Sequence, residues 1–244
     1  RGNSGVILSQ IFRGFFQSVE THNEINAKQM SSAFIRGSEV AYKAVMRPVE
    51  GTILTVLRES AANAAKYVDK KPDTSIIEFM DVLIKEAHIS LQNTPELLPV
   101  LKEVGVVDSG GAGLVVIFEG FRYALVGKPV EAMANIDTHA SAQLDLANEE
   151  FGYCTEFILR LEHEKMDFFS EDKLKRDLAR MGDSIVVVQD EDLVKVHIHT
   201  LTPGDALNLA QRFGEFVKLK IENMQEQHAA ILEHSHSHGI EKPR

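Results

Sequence analysis

Apolar residues recur at three- and four-residue intervals through Val6–Val19, Ser31–Val45, Thr52–Val68, Ile76–Leu91 and Gly111–Leu125. That spacing predicts five amphipathic helices. Pro48, Pro72, Pro95 and Pro129 punctuate them, and Pro95–Glu103 predicts a further short helix that ends at Gly105. The Ala-rich stretch Glu59–Ala65 allows close helix approach, and Met30, Met46 and Met80 read as core filler. From Val130 to Glu150 the chain turns small and polar, which predicts a linker or strap after a helical domain over residues 1–129.

Beyond the linker the period changes. Tyr153–Leu161 alternates, Ser170–Met181 is helical, and Ser184–Asp190 and Leu193–His199 are β-branched strands joined by a short acidic turn. Pro203–Phe213 is helical again with Thr202 as its cap, and Glu215–Ile221 alternates. The order βαββαβ predicts a ferredoxin-like α+β domain over residues 151–223. Residues 224–244 would be a helical extension followed by a disordered His-rich tail.

Three glycine-bearing turns run directly into predicted helices: Arg1–Gly5, Glu50–Leu54 and Asp108–Leu114. A Gly/Ser/Thr turn at a helix start leaves backbone N–H groups at the positive end of the dipole, where an anion or phosphate can bind. The same residues also serve as plain caps. Three such turns in one helical domain suggest helix N-termini gathered around one phosphate-rich ligand. Arg13 on the first helix could approach phosphates but reads equally well as a solvated arginine.

The second domain carries a different chemistry. In Tyr153–Leu161 the residues Tyr153, Thr155, Phe157, Leu159 and Leu161 form the core set, so Cys154 and Glu156 point away from it. In Leu193–His199 the apolar set leaves Lys195, His197 and His199 on the other face. The first and third strands of this topology are antiparallel neighbours. Cys154 should therefore face His197 and His199 across the open side of the sheet. A thiolate with two imidazoles suits zinc, leaving a fourth position for water, Glu156 or a residue of another chain. A His-x-His on a strand can also be polar decoration, and a free cysteine can be a small buried hydrophobe. The tail histidines His234, His236 and His238 would bind divalent metals only weakly.

Composition narrows the classes. The chain has 244 residues, 44% hydrophobic and 25% charged, which fits a globular protein with room for two cores. No apolar run reaches the roughly 18–20 residues of a membrane span, and no signal peptide opens the chain. A single cysteine excludes an intramolecular disulfide framework and fits a reducing cytoplasm. A net charge of −10 with no Trp argues against nucleic acid as the main partner. It also repels ATP at long range, so a nucleotide site here must rely on local dipoles and metal.

The segments RGNSGVILSQIFRGF, RPVEGTILTVLRESA and LKEVGVVDSGGAGLVVIFEGF resemble the nucleotide-binding domain of the dihydroxyacetone-kinase L-subunit (DhaL-like) family. With EFGYCTEFILRLE and LVKVHIHTLTPGDAL they resemble, over nearly the whole chain, the kinase subunit of bacterial fatty-acid kinase. The resemblance implies an all-α barrel that holds ATP by its phosphates. Asn3, Ser4, Gly5, Gly51 and Thr52 would meet phosphates, and Asp108 and Gly110 would lie at the nucleotide edge. It also implies a zinc site at Cys154, His197 and His199, homodimerisation through the middle domain, and a fatty-acid-carrying partner protein.

One departure stands beside the match. The family's magnesium-binding loop, D-x-D-x-G-x-N, lies upstream of the Gly-Asn-Ser-Gly turn, and this chain begins at that turn. The expectation is a fragment with a truncated helical barrel, lacking the Mg²⁺-binding aspartates and a poor kinase by itself. The complete protein would phosphorylate a carrier-bound fatty acid to an acyl phosphate. Two alternatives are a kinase for a small hydroxy-ketone such as dihydroxyacetone, and a zinc-stabilised interaction module that binds nucleotide without turnover.

Overall fold

A computed structural model describes residues 2–128 and 152–226, which fall into two compact units. The expected linker, the tail histidines and the helical extension beyond Glu226 lie outside the described residues.

The first unit is helical: α1 (Gly2–Val19), α2 (Ala27–Ala44), α3 (Ile53–Lys70), α4 (Ile76–Leu97), α5 (Pro99–Val104) and α6 (Ser109–Leu125). Helix α2 starts four residues earlier than its apolar spacing predicts because Asn26 builds a capping box. Its side chain accepts from the Gln29 N–H at 2.9 Å, and Gln29 Oε1 accepts from the Asn26 N–H at 2.9 Å. Ser75 caps α4 in the simpler way, accepting from the Glu78 N–H. Helices α1 and α2 cross backbone to backbone. A Cβ on Gly14 would lie 2.6 Å from the Arg36 carbonyl oxygen, and one on Gly37 would lie 2.7 Å from that of Ile11. Neither position has room for a side chain. The core forms around Phe34, whose ring meets Phe15, Phe79 and Phe118 at centroid distances of 5.0, 6.1 and 5.2 Å. Leu54, Leu57, Met80 and Leu83 close it, with Ala61, Ala64 and Ala87 buried between helices.

Pro95 does not start the short helix. It sits inside the last turn of α4, which runs on to Leu97, and α5 begins at Pro99. A proline at this position offers no N–H to the Leu91 carbonyl, and the Thr94 hydroxyl donates to it instead at 2.7 Å. The break falls at Leu98, extended at φ −123° and ψ 98°, because a residue that precedes proline avoids the helical region. Gly105 ends α5 in the left-handed conformation, as expected.

The second unit runs β1 (Tyr153–Leu161), a 3₁₀ turn (His163–Phe168), α7 (Glu171–Leu178), β2 (Gly182–Asp190), β3 (Leu193–Thr200), α8 (Pro203–Gln211) and β4 (Gly214–Asn223). All pairings are antiparallel and the sheet order is β2-β3-β1-β4, the split βαβ arrangement. Thr155, Phe157, Leu159 and Leu161 share a buried face with Val194, Val196 and Ile198, and buried Leu174, Leu178, Ala206 and Ala210 come from the two helices. Three expectations need correction. Helix α7 is shorter than Ser170–Met181, because Ser170 is its cap. Strand β2 starts at Gly182, and its register shifts between Asp183 and Val186 around Ser184 at φ 50°. Tyr153, assigned to the core, is 37% exposed at the end of its strand.

Candidate functional site

Two constellations of functional side chains form, one in each unit. In the helical unit the structure brings three helix starts together. Asn3, Ser4 and Gly5 lie in the first turn of α1. A Cβ on Gly110 would lie 3.2 Å from Ser4 Oγ, 3.3 Å from Asp108 Oδ2 and 3.3 Å from the Cβ of Ile53, the first residue of α3. The opening turns of α1, α3 and α6 therefore meet, and Gly110 lets them.

The three ends differ in chemistry. Asp108 caps α6, accepting from the Gly111 N–H at 2.6 Å, so a carboxylate already occupies that positive end. This corrects the expectation of free N–H groups at all three starts. No side chain caps α3, because the Thr52 hydroxyl donates back to the Val49 carbonyl at 2.8 Å. The first turn of α3 is thus the end best suited to a phosphate. Asn3 Oδ1 is buried with no hydrogen-bond partner. An acceptor in that state fits a ligand's hydroxyl or N–H, or a magnesium ion.

Residues outside the predicted set hold this arrangement. Gly51 takes φ +81°, and a Cβ there would lie 2.8 Å from both the Thr94 carbonyl oxygen and Leu98 Cβ. Its N–H donates to Thr55 Oγ1 at 2.9 Å, and that hydroxyl donates to Glu50 Oε2 at 2.7 Å. Arg58 donates to the same oxygen at 2.7 Å and, through Nε, to the Tyr42 hydroxyl at 3.0 Å, while Tyr42 donates to Glu50 Oε1 at 3.2 Å. Burial pushes the Tyr42 phenol above its ordinary value against the pull of Arg58, which keeps it a donor. Thr94, 0% exposed, accepts from the Asp108 N–H at 3.1 Å. Thr94 thereby ties the third loop to the helix end on which the second loop rests. Glu50 belongs to a glycine motif visible in the chain, but nothing in the spacing of α4 marks Thr94.

In the sheet, the β1–β3 register sets Cys154 opposite His199 and Glu156 opposite His197. One ligand atom each from Cys154, His197 and His199 lie within 4.8 Å of one another. The strand order explains why residues over forty positions apart meet. The histidines are not on an open face: His197 is 1% exposed and His199 7%. Polar decoration is thereby excluded, since a buried imidazole must find partners for both nitrogens. His197 Nδ1 lies 3.1 Å from Glu156 Oε1, whereas Nε2 is buried with no partner. An orphaned imidazole nitrogen beside a thiol and a second imidazole fits a borderline-soft divalent metal, zinc foremost. Glu222 of β4 and Asp183 of β2 lie in the same row across the sheet, opposite Cys154 and His199 respectively.

Residues 1–123 match the DAK2 domain, and residues 150–231 match the FakA-like middle domain of fatty acid kinases. Protein YloV of Bacillus subtilis is 50% identical over 243 residues, covering 95% of this chain and 43% of that protein. An uncharacterized protein of Staphylococcus saprophyticus is 47% identical over 248 residues, 98% of this chain and 44% of its own length. One of Staphylococcus aureus is 48% identical over 241 residues, with 95% and 43% covered. The chain spans less than half the length of these relatives. With the DAK2 domain over half of its residues and this middle domain behind it, the chain belongs to the DAK2 family in its FakA-like, fatty acid kinase form.

Proposed function

We propose that this chain is part of an ATP-dependent cytoplasmic kinase that phosphorylates the carboxylate of a fatty acid presented by a separate carrier protein, giving an acyl phosphate. The meeting of the α1, α3 and α6 starts at Ser4, Ile53 and Gly110 carries the reading, in a chain with the FakA-like middle domain. That middle domain favours a fatty acid over a hydroxy-ketone such as dihydroxyacetone.

The residues divide the work by chemistry. Gly51 and Thr52 lead phosphate oxygens onto the uncapped N–H groups of α3, held in place by the Glu50–Arg58–Tyr42 clamp. Ser4 offers a hydroxyl, Gly110 leaves room for the ligand's approach, and Gly5 faces open space. Asn3 Oδ1 offers an acceptor to a cation or donor. ATP with magnesium, when bound, supplies the phosphoryl group and neutralises its oxygens. Positioning of this kind is most of what phosphoryl transfer asks of a protein. Cys154, His197 and His199 would hold zinc in the sheet unit. Homodimerisation is part of the proposal, supported by edge strand β4 with Val217, Leu219 and Ile221 exposed along it.

The test gives the full-length protein ATP, magnesium and a fatty-acid-loaded carrier, and traps acyl phosphate with hydroxylamine. The expected result is acyl hydroxamate that requires both ATP and the loaded carrier. Phosphorylation of dihydroxyacetone instead, or nucleotide binding with no transfer to either acceptor, overturns the proposal.

A further inference from the structure

We propose that Glu156 is a positioning residue for the metal centre: it fixes His197 as the Nδ1–H tautomer and so presents Nε2 as the ligand atom. The inference rests on the metal reading of the Cys154, His197 and His199 cluster and goes beyond it, to a residue that sequence reasoning left as a possible fourth ligand.

Three observations carry it. The β1–β3 register sets Glu156 directly opposite His197, so backbone pairing already aims the carboxylate at this ring. Glu156 Oε1 lies 3.1 Å from Nδ1, with the two side chains 14% and 1% exposed. The opposite nitrogen, Nε2, is the buried atom left without a partner. A carboxylate can only accept here, so a neutral imidazole must carry its proton on Nδ1. The lone pair then lies on Nε2, on the side of the ring away from Glu156. Such a carboxylate–imidazole pair orients the ring and raises its basicity as a ligand. The same contact uses the carboxylate oxygen nearest the ring for hydrogen bonding, which distinguishes this role from direct ligation. Cys154 and His199 form the adjacent cross-strand pair, so the two ligand-bearing rows stack along β1 and β3.

The test uses the full chain in a background with His234→Ala, His236→Ala and His238→Ala, which removes tail binding. Zinc affinity is measured by chelator competition for the parent, Cys154→Ser, Glu156→Ala and Glu156→Gln. Cobalt absorption and the ¹⁵N tautomer pattern of His197 in the metal-free protein are recorded for each. The parent should bind one zinc per chain, lost in Cys154→Ser. Glu156→Ala should weaken zinc by about 10–100-fold while keeping the thiolate–cobalt spectrum of the parent. Its metal-free His197 should show mixed tautomers where the parent shows Nδ1–H alone. Glu156→Gln retains an acceptor oxygen and should recover most of the affinity and the single tautomer. A purely structural role would move neither the tautomer nor its rescue by glutamine.

Parent-like zinc affinity and tautomer in Glu156→Ala overturn the inference while leaving the metal site standing. A glutamine variant as weak as the alanine one, with an altered cobalt spectrum, overturns it in favour of direct ligation. A parent that binds no zinc removes the metal reading and this inference together.

Discussion

Replacing Thr94 with valine keeps the shape of a fully buried side chain and removes only its hydroxyl. That hydroxyl makes two hydrogen bonds, donating to the Leu91 carbonyl at 2.7 Å and accepting from the Asp108 N–H at 3.1 Å. Neither partner has a ready substitute. Pro95 cannot supply an N–H to Leu91, and the Asp108 N–H precedes the turn that starts α6. A buried hydrogen bond contributes about 1 kcal/mol net, and each polar group left unsatisfied costs about 1–3 kcal/mol. Taking one fully orphaned carbonyl and one partly solvated N–H, Thr94→Val should destabilise the helical unit by about 2–3 kcal/mol. With a urea slope of about 2 kcal/mol/M, that moves the unfolding midpoint down by roughly 1–1.5 M. The assay is equilibrium urea unfolding followed by the helical signal in far-ultraviolet circular dichroism, with Thr94→Ser as control. Serine keeps the hydroxyl and loses one methyl group, so it should stay within about 1 kcal/mol of the parent. A valine variant within about 0.5 kcal/mol of the parent would refute the role given to Thr94, since surface-like changes fall in that range.

Gly51→Ala should destabilise the helical unit by at least about 2 kcal/mol in the same assay. The left-handed backbone costs a non-glycine residue roughly 1–2 kcal/mol, and the new Cβ meets Thr94 and Leu98 at 2.8 Å. A neutral alanine variant would show that the turn can re-form without its positive φ. Glu78 sits below the ordinary carboxylate range, held there first by the Lys71 ammonium at 2.7 Å and then by the Tyr67 hydroxyl at 2.6 Å. A lowered folded pKa stabilises above the unfolded value and is lost as pH falls through the folded one. The stability gap between parent and Glu78→Gln should therefore be full at neutral pH and close below about pH 4, beneath the ordinary glutamate value. A gap that stays constant through that window contradicts the assignment.

The period of apolar residues was enough to place the helices and strands, because each element buries one face. Element ends depended on side-chain chemistry that period does not register, such as the Asn26–Gln29 capping box and the Thr94 hydroxyl that satisfies Leu91 beside Pro95. The meeting of Cys154 with His199 was legible because the βαββαβ order dictates an antiparallel β1–β3 pair. Their burial was not, since alternation names a face without saying what covers it. Glu156 was ambiguous for the same reason: a carboxylate two residues from a ligand suits the ligand shell or the layer behind it. The glycine turns announced helix starts, yet whether three starts converge is a tertiary fact. It shows only in the space around Gly110, shared by Ser4, Asp108 and Ile53.

Titrating the full-length protein with magnesium–ADP, alongside its Gly110→Val variant, tests that convergence most directly. A Cβ at Gly110 already contacts Ser4 Oγ and Ile53 Cβ, so the two further methyl groups of valine must push the α1 and α3 starts apart. The parent should bind saturably and with magnesium dependence, and the variant should lose about 100-fold or more in affinity, in line with misplacement of a positioning group by about 1 Å. Equal affinities in the two proteins, with the fold intact, would contradict a nucleotide site built where these helix starts meet.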